Sequence, residues 1–142
     1  MGRCNYENKE QTATMEDQDQ QFRYTRVLNS VKKFLKAKNY TIKHINWPDI
    51  GVALEESIPI IAYDNDNQCL AMIDMSYTYD TGFGFPDDDT SEENKKRREK
   101  LALEYLSEAD VSADTRIRFD TVALVVVKSD KALIRYHMNV FG

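Results

Sequence analysis

Cysteine is almost missing from this chain of 142 residues; there are two, Cys4 and Cys69, with neither a CxxC spacing nor a Cys/His cluster around them. That excludes a disulfide framework and a zinc site of ordinary ligand spacing, and it fits a reducing, cytoplasmic setting. Histidine is as scarce, because His44 and His137 stand alone in separate strand-like runs without a second ligand nearby. No apolar run approaches the roughly 20 residues that a bilayer-spanning helix needs, so no membrane association is expected. The segment from Met1 to Tyr6 has no apolar region of the secretory kind. Gly2 with Cys4 lacks the Ser or Thr at position 6 that myristoylation prefers. Gly82-x-Gly84 lacks the third glycine of a dinucleotide fingerprint, and no G-x-S-x-G turn is present for a serine nucleophile.

What is there belongs to one globular α/β domain. The 42% hydrophobic and 30% charged residues are those of a water-soluble core-forming chain of the commonest domain size. Residues 1–20 are polar, Gln-rich and nearly without aliphatics, so they are expected to form a disordered tail, leaving 21–142 as the domain. The net charge of −5 is unevenly spread: residues 1–21 contribute −3 and the remainder only −2, so the domain itself is nearly balanced.

Val27, Leu28, Val31, Phe34 and Leu35 recur at helical spacing and predict an amphipathic helix over 21–38. Alternation then predicts a short strand over 41–46, broken by Trp47-Pro48-Asp49, with 51–57 readable as strand or helical turn. Residues 58–79 form the centre: two densely apolar strands, covered on both faces, folded about the turn Asp64-Asn65-Asp66-Asn67. Thr90 and Glu93 have the T-x-x-E spacing of a capping box, which starts a second helix near Ser91 and lets it run to about Ser107. Residues 118–127 are β-branched and apolar enough for the sheet interior, and 132–138 follow as an outer strand. The order is α-β-β-β-α-β-β.

Few residues in this frame can carry chemistry. Asp74 lies inside an apolar strand, where a carboxylate needs a partner, a metal or a route to water; the plainer reading is an Asp that reaches solvent or a backbone amide. Asp64, Asp66 and Gln68 open like a calcium loop, but Cys69 and Met75 stand where Gly and Glu are required. Asp87, Asp88 and Asp89 could hold a cation or simply precede a helix in water. Lys95, Lys96, Arg97, Arg98 and Lys100 could neutralise phosphates, or could form a solvated face balanced by Glu92, Glu93 and Glu99.

Taken in order, Phe34-Leu35, Asn39-Tyr40, Ile42, Asn46-Trp47, Ile60-Ile61-Ala62-Tyr63-Asp64, the run Leu70 to Ser76, Phe83-Gly84-Phe85-Pro86, Tyr105-Leu106, Arg118-Phe119-Asp120 and Asn139-Val140-Phe141 resemble the YraN-type family of small bacterial proteins. The likeness covers nearly everything after the tail. It implies the restriction-endonuclease-like, Holliday-junction-resolvase-like fold: a single α/β domain with a mixed sheet flanked by helices. Nucleases of that fold hold a divalent metal with a first-helix acid, an Asp on the second strand and a Glu-x-Lys on the third. Here those positions align with Leu28, Pro59, and Asp74-Met75-Ser76, so only Asp74 keeps a carboxylate.

The resemblance therefore implies a degenerate active site without a cofactor, in a catalytically lapsed module that binds nucleic acid or serves as an accessory. One alternative is an active endonuclease using magnesium or manganese, with Asp74, Glu55 or Glu56 and the Asp87 to Asp89 loop as ligands. The other is a module that contacts a protein partner and never DNA.

Overall fold

The computed structural model describes residues 2–48, 56–128 and 130–142, with side chains from Gln18 onward. In order these form helix α1 (Gly2–Ala37), strands β1 (Tyr40–Trp47), β2 (Ile58–Asp64) and β3 (Cys69–Thr78), helix α2 (Glu92–Glu108), and strands β4 (Ile117–Lys128) and β5 (Lys131–His137). The chain is an α/β domain of the expected α-β-β-β-α-β-β order. Its sheet has five strands in the spatial order β1-β2-β3-β4-β5. β1, β2 and β3 pair antiparallel, β3 and β4 parallel through the α2 crossover, and β4 and β5 antiparallel as a closing hairpin.

Helix α1 begins at Gly2 rather than near Gln21, so the backbone of the segment expected as a disordered tail is helical in the structure. Gln, Glu, Lys, Ala and Met there are good helix formers. From Val27 on the helix has an apolar stripe, and Val27, Leu28, Val31 and Leu35 are buried against Ile60, Ala62, Ala71, Ile73, Val122 and Leu124 on one face of the sheet. Each fully buried aliphatic side chain of this kind contributes about 1.5–3 kcal/mol. Asn39, with φ +66°, turns the chain out of the helix into β1, a left-handed conformation that Asn tolerates.

The second face carries α2, whose Leu101, Ala102 and Tyr105 pack on Ile58, Ile61, Leu70 and Met72. The two central strands are thus covered on both sides, as their unbroken apolar runs require. The N-cap of α2 is Ser91, whose hydroxyl accepts from the Asn94 amide. Ser91 caps the helix in place of the expected box between Thr90 and Glu93, with the Ser91 amide donating to Asp89 Oδ1, and the helix ends at Glu108. At the β2–β3 turn Asp64 accepts from the backbone amides of Asp66 and Asn67, both at 3.2 Å, while Gln68 takes a positive φ of +54°.

Candidate functional site

Asp74 sits on β3 beside the fully buried Ile73, opposite Thr121 of β4. With Leu70 and Met72 it points to the α2 face. It borders a cavity of about 10 Å³ with Ser57, Pro59, Arg97 and Arg98, room for about one water. The Arg97 guanidinium stands 3.7 Å from Asp74 Oδ2, and both side chains are about one-third exposed, at 33% and 29%. Arg97 is itself aimed by Asn94, whose Oδ1 accepts from its Nε at 3.0 Å and its Nη2 at 2.7 Å. Asn94 in turn donates to the Asp89 carbonyl at 2.7 Å. The other oxygen of Asp74 accepts from the Met75 amide at 3.1 Å. The carboxylate therefore faces a guanidinium, with the pyrrolidine ring of Pro59 as neighbour. Glu56 is exposed and does not line this cavity; Glu55 lies outside the described residues.

The basic run on α2 divides, and one member cannot act as expected. Arg98 is 5% exposed. Its Nη2 donates to the carbonyls of Met72 at 2.9 Å and Asp120 at 2.6 Å, and its guanidinium lies 5.5 Å from the Phe119 ring and 5.2 Å from the Phe141 ring. Burial lowers its pKa from the usual arginine value. Arg98 is a strut between α2 and the sheet, and a buried guanidinium cannot reach a phosphate backbone. Arg97 turns inward to Asp74, which leaves Lys95 half-buried and Lys96 and Lys100 exposed beside Glu99. The sequence held a signal for this: Arg98 shares a stripe with Leu101, Ala102 and Tyr105 at helical spacing.

The three consecutive aspartates do not converge on Asp74. Asp88 bonds the His137 ring and lies 3.7 Å from Arg135 Nη2, both on β5. Arg135 also donates to the Pro86 carbonyl at 2.9 Å and lies 5.1 Å from the Phe85 ring. Asp89 accepts from the Ser91 amide at 3.1 Å, and its bonds with Ser91 lower its pKa. Asp74 pairs across the sheet with Thr121, which pairs with His137. Asp88 is therefore docked two strands away from Asp74, roughly 10 Å at the usual strand spacing. Asp74 faces Arg97 and Asp88 faces Arg135 and His137, while Asp89 is held by Ser91 and Asp87 is exposed. Among the described residues no three His, Cys, Asp or Glu side chains gather as a metal-binding group.

The opposite face of the sheet holds a buried charged network that sequence reasoning missed. Arg118 spans two acids: its Nε and Nη2 donate to Asp120 at 2.7–3.0 Å, and its Nη1 to Asp64 Oδ2 at 2.9 Å. It also donates to Tyr40 Oη at 2.8 Å and Cys69 Sγ at 3.2 Å. Tyr136 and the Asn139 amide complete the bonding of Asp120. Burial opposes the charge on Asp64, but bonds from Asn67 and Arg118 outweigh it and hold the carboxyl below its usual range. Burial and the neighbouring Asp120 push Tyr136 far above the ordinary phenol value. Asp64 is thus a structural acid, in keeping with the failed calcium pattern. No protein-family profile matches the chain, and no curated protein matches it.

Proposed function

We propose that this protein is a catalytically lapsed protein of YraN-type, nuclease-like descent that acts as a nucleic-acid-binding or accessory module. The observation that carries the reading is the Arg97 guanidinium at Asp74, the one carboxylate retained at the positions where the resemblance implies metal ligands. A cation built into the chain stands where a divalent ion would be needed. Pro59 beside it offers no ligand, and Ser76 offers a hydroxyl in place of the amine that would orient water. Leu28, at the position of the first-helix acid, is buried in the core under α1, on the face of the sheet opposite Asp74, so α1 brings no ligand to that site at this position. The α-β-β-β-α-β-β order agrees with the fold that the resemblance implies.

The test is cleavage and retention of labelled duplex, single-stranded and branched DNA, with and without magnesium or manganese, by the unmodified protein and Asp74→Ala. Retention that weakens with salt, without cleavage in either protein, is the expected result. Metal-dependent cleavage that disappears with Asp74→Ala overturns the reading in favour of a rearranged active site. Absence of both retention and cleavage moves the assignment to a protein partner.

A further inference from the structure

Two cavities, of about 580 and 280 Å³, flank α1 and meet at Tyr79, just past the end of β3. Together they form a groove between the helix and the β3, β4 and β5 strands, following α1 from Gln20 to Lys33, roughly 20 Å at the helical rise. Its lining residues carry five cations, Arg23, Arg26, Lys33, Lys128 and Lys131, against one carboxylate, Asp130. Arg23 makes an exposed pair with Asp19 at 3.5 Å. Arg26, Lys33, Lys128 and Lys131 make no ion pair among the described residues. In a protein of net charge −5 such a one-sign concentration in a recess attracts an anionic counterpart.

The same groove is lined by tyrosines. Tyr24, Tyr77 and Tyr79 are all half-buried, with the rings of Tyr77 and Tyr79 6.3 Å apart and the Arg23 guanidinium 4.9 Å from the Tyr79 ring. The Tyr79 hydroxyl is buried without a hydrogen-bond partner. Cations beside recessed aromatic rings are what a single strand requires: phosphates on the charges, unpaired bases against the rings. Bases stacked inside a duplex cannot turn to rings set below the surface. An acidic peptide would use the charges and leave the tyrosines idle, and a membrane would need protruding apolar side chains rather than a recess.

Resting on the nucleic-acid reading above, we propose that the α1 groove is a single-strand binding site, with Arg26, Lys33, Lys128 and Lys131 on phosphates and Tyr77 and Tyr79 on bases. This places the interface away from α2. The test is fluorescence anisotropy of a labelled oligothymidylate across a salt series, with a duplex of equal length and poly-glutamate as further probes. The proteins are the full chain, a variant with Arg26, Lys33, Lys128 and Lys131 all changed to Gln, Tyr77→Leu, and a control with Lys95, Lys96 and Lys100 changed to Gln. Circular dichroism checks that each is folded.

Four lost phosphate contacts are expected to flatten the slope of log affinity against log salt by about 2–3. Tyr77→Leu is expected to weaken the single strand by roughly 5- to 150-fold, the worth of a stacked base, and the α2 control to leave it unchanged. If the oligothymidylate binds but the fourfold variant binds as well as the full chain, or the α2 control loses binding, the groove is refuted while the nucleic-acid reading stands. Binding to duplex alone has the same meaning. If no nucleic acid binds, or poly-glutamate alone does, both fall.

Discussion

Removing Arg118 is expected to be severely destabilising, because it strands two buried acids at once. The side chains of Asp64 and Asp120 are 2% and 0% exposed, and Arg118 bridges them at 2.9 and 2.7 Å. Breaking a buried ion pair by deleting one partner costs about 3–5 kcal/mol; Arg118→Ala belongs at the upper end, since both acids lose their cation. A domain of this kind has about 5–15 kcal/mol in total, and at about 1–3 kcal/mol per molar urea the midpoint falls by roughly 2 M. The pH dependence also reverses. In the unmodified protein Asp64 has a depressed native pKa, so its stabilising contribution is present above the unfolded value near 4 and is lost as pH falls through the native value. In Arg118→Ala, Asp64, buried and without its cation, relieves its charge by taking up a proton, so stability rises as pH is lowered from 7 towards 5. Urea unfolding followed by circular dichroism at pH 7 and pH 5 reads both effects. A loss under about 1 kcal/mol, or a pH slope of the same sign as the unmodified protein, would refute the network as described.

Tyr136→Phe removes the hydroxyl donor to Asp120 and is expected to cost about 1.5–3 kcal/mol, the worth of a bond to a charged group. Because the native pKa of Tyr136 is raised, its contribution is complete below about pH 10 and declines above it; the gap between the two proteins should narrow there in alkaline urea titrations. Leu35→Ala, at a position with no solvent exposure under α1, is expected to lose about 2–5 kcal/mol in thermal or urea unfolding. A loss well below that range would show that α1 is not seated on the sheet through this residue.

The elements were legible because each announced itself locally. Val27 to Leu35 recur at helical spacing, 118–127 are β-branched, and Asp64 to Asn67 are turn residues, so order and approximate bounds follow from period and punctuation. The side-chain partnerships were not legible, because they join residues far apart in the chain. Arg118 meets Asp64 across 54 positions, and nothing near Asp64 distinguishes a turn acid from a buried counter-ion. The run from Lys95 to Lys100 reads as one basic face, yet α2 turns Arg98 into the core and Arg97 towards Asp74. The α1 groove is harder still to see, since Lys33 and Lys128 are unremarkable surface residues until the β4–β5 hairpin places them on either side of one recess.

The two charged clusters differ in a way that separates stability from function. Arg118 uses all three guanidinium nitrogens on buried partners, so its network is closed and ties β1, β2, β4 and β5 together. Asp74 and Arg97 are partly exposed and 3.7 Å apart, a pair worth about 0–1 kcal/mol after solvent screening. Nearby on the same side of the sheet, Ser76 Oγ and Arg98 Nη1 are buried without partners, an arrangement that stability alone would not favour. Asp74 is nevertheless the strongest favourable charge near the buried Arg98 guanidinium, so a carboxylate at position 74 also supports the strut between α2 and the sheet. Asp74→Ala is expected to lose about 0–1 kcal/mol from the exposed Arg97 pair and a further share from the buried Arg98, so urea unfolding run beside the binding and cleavage assays is what separates a loss of chemistry at that site from a loss of fold.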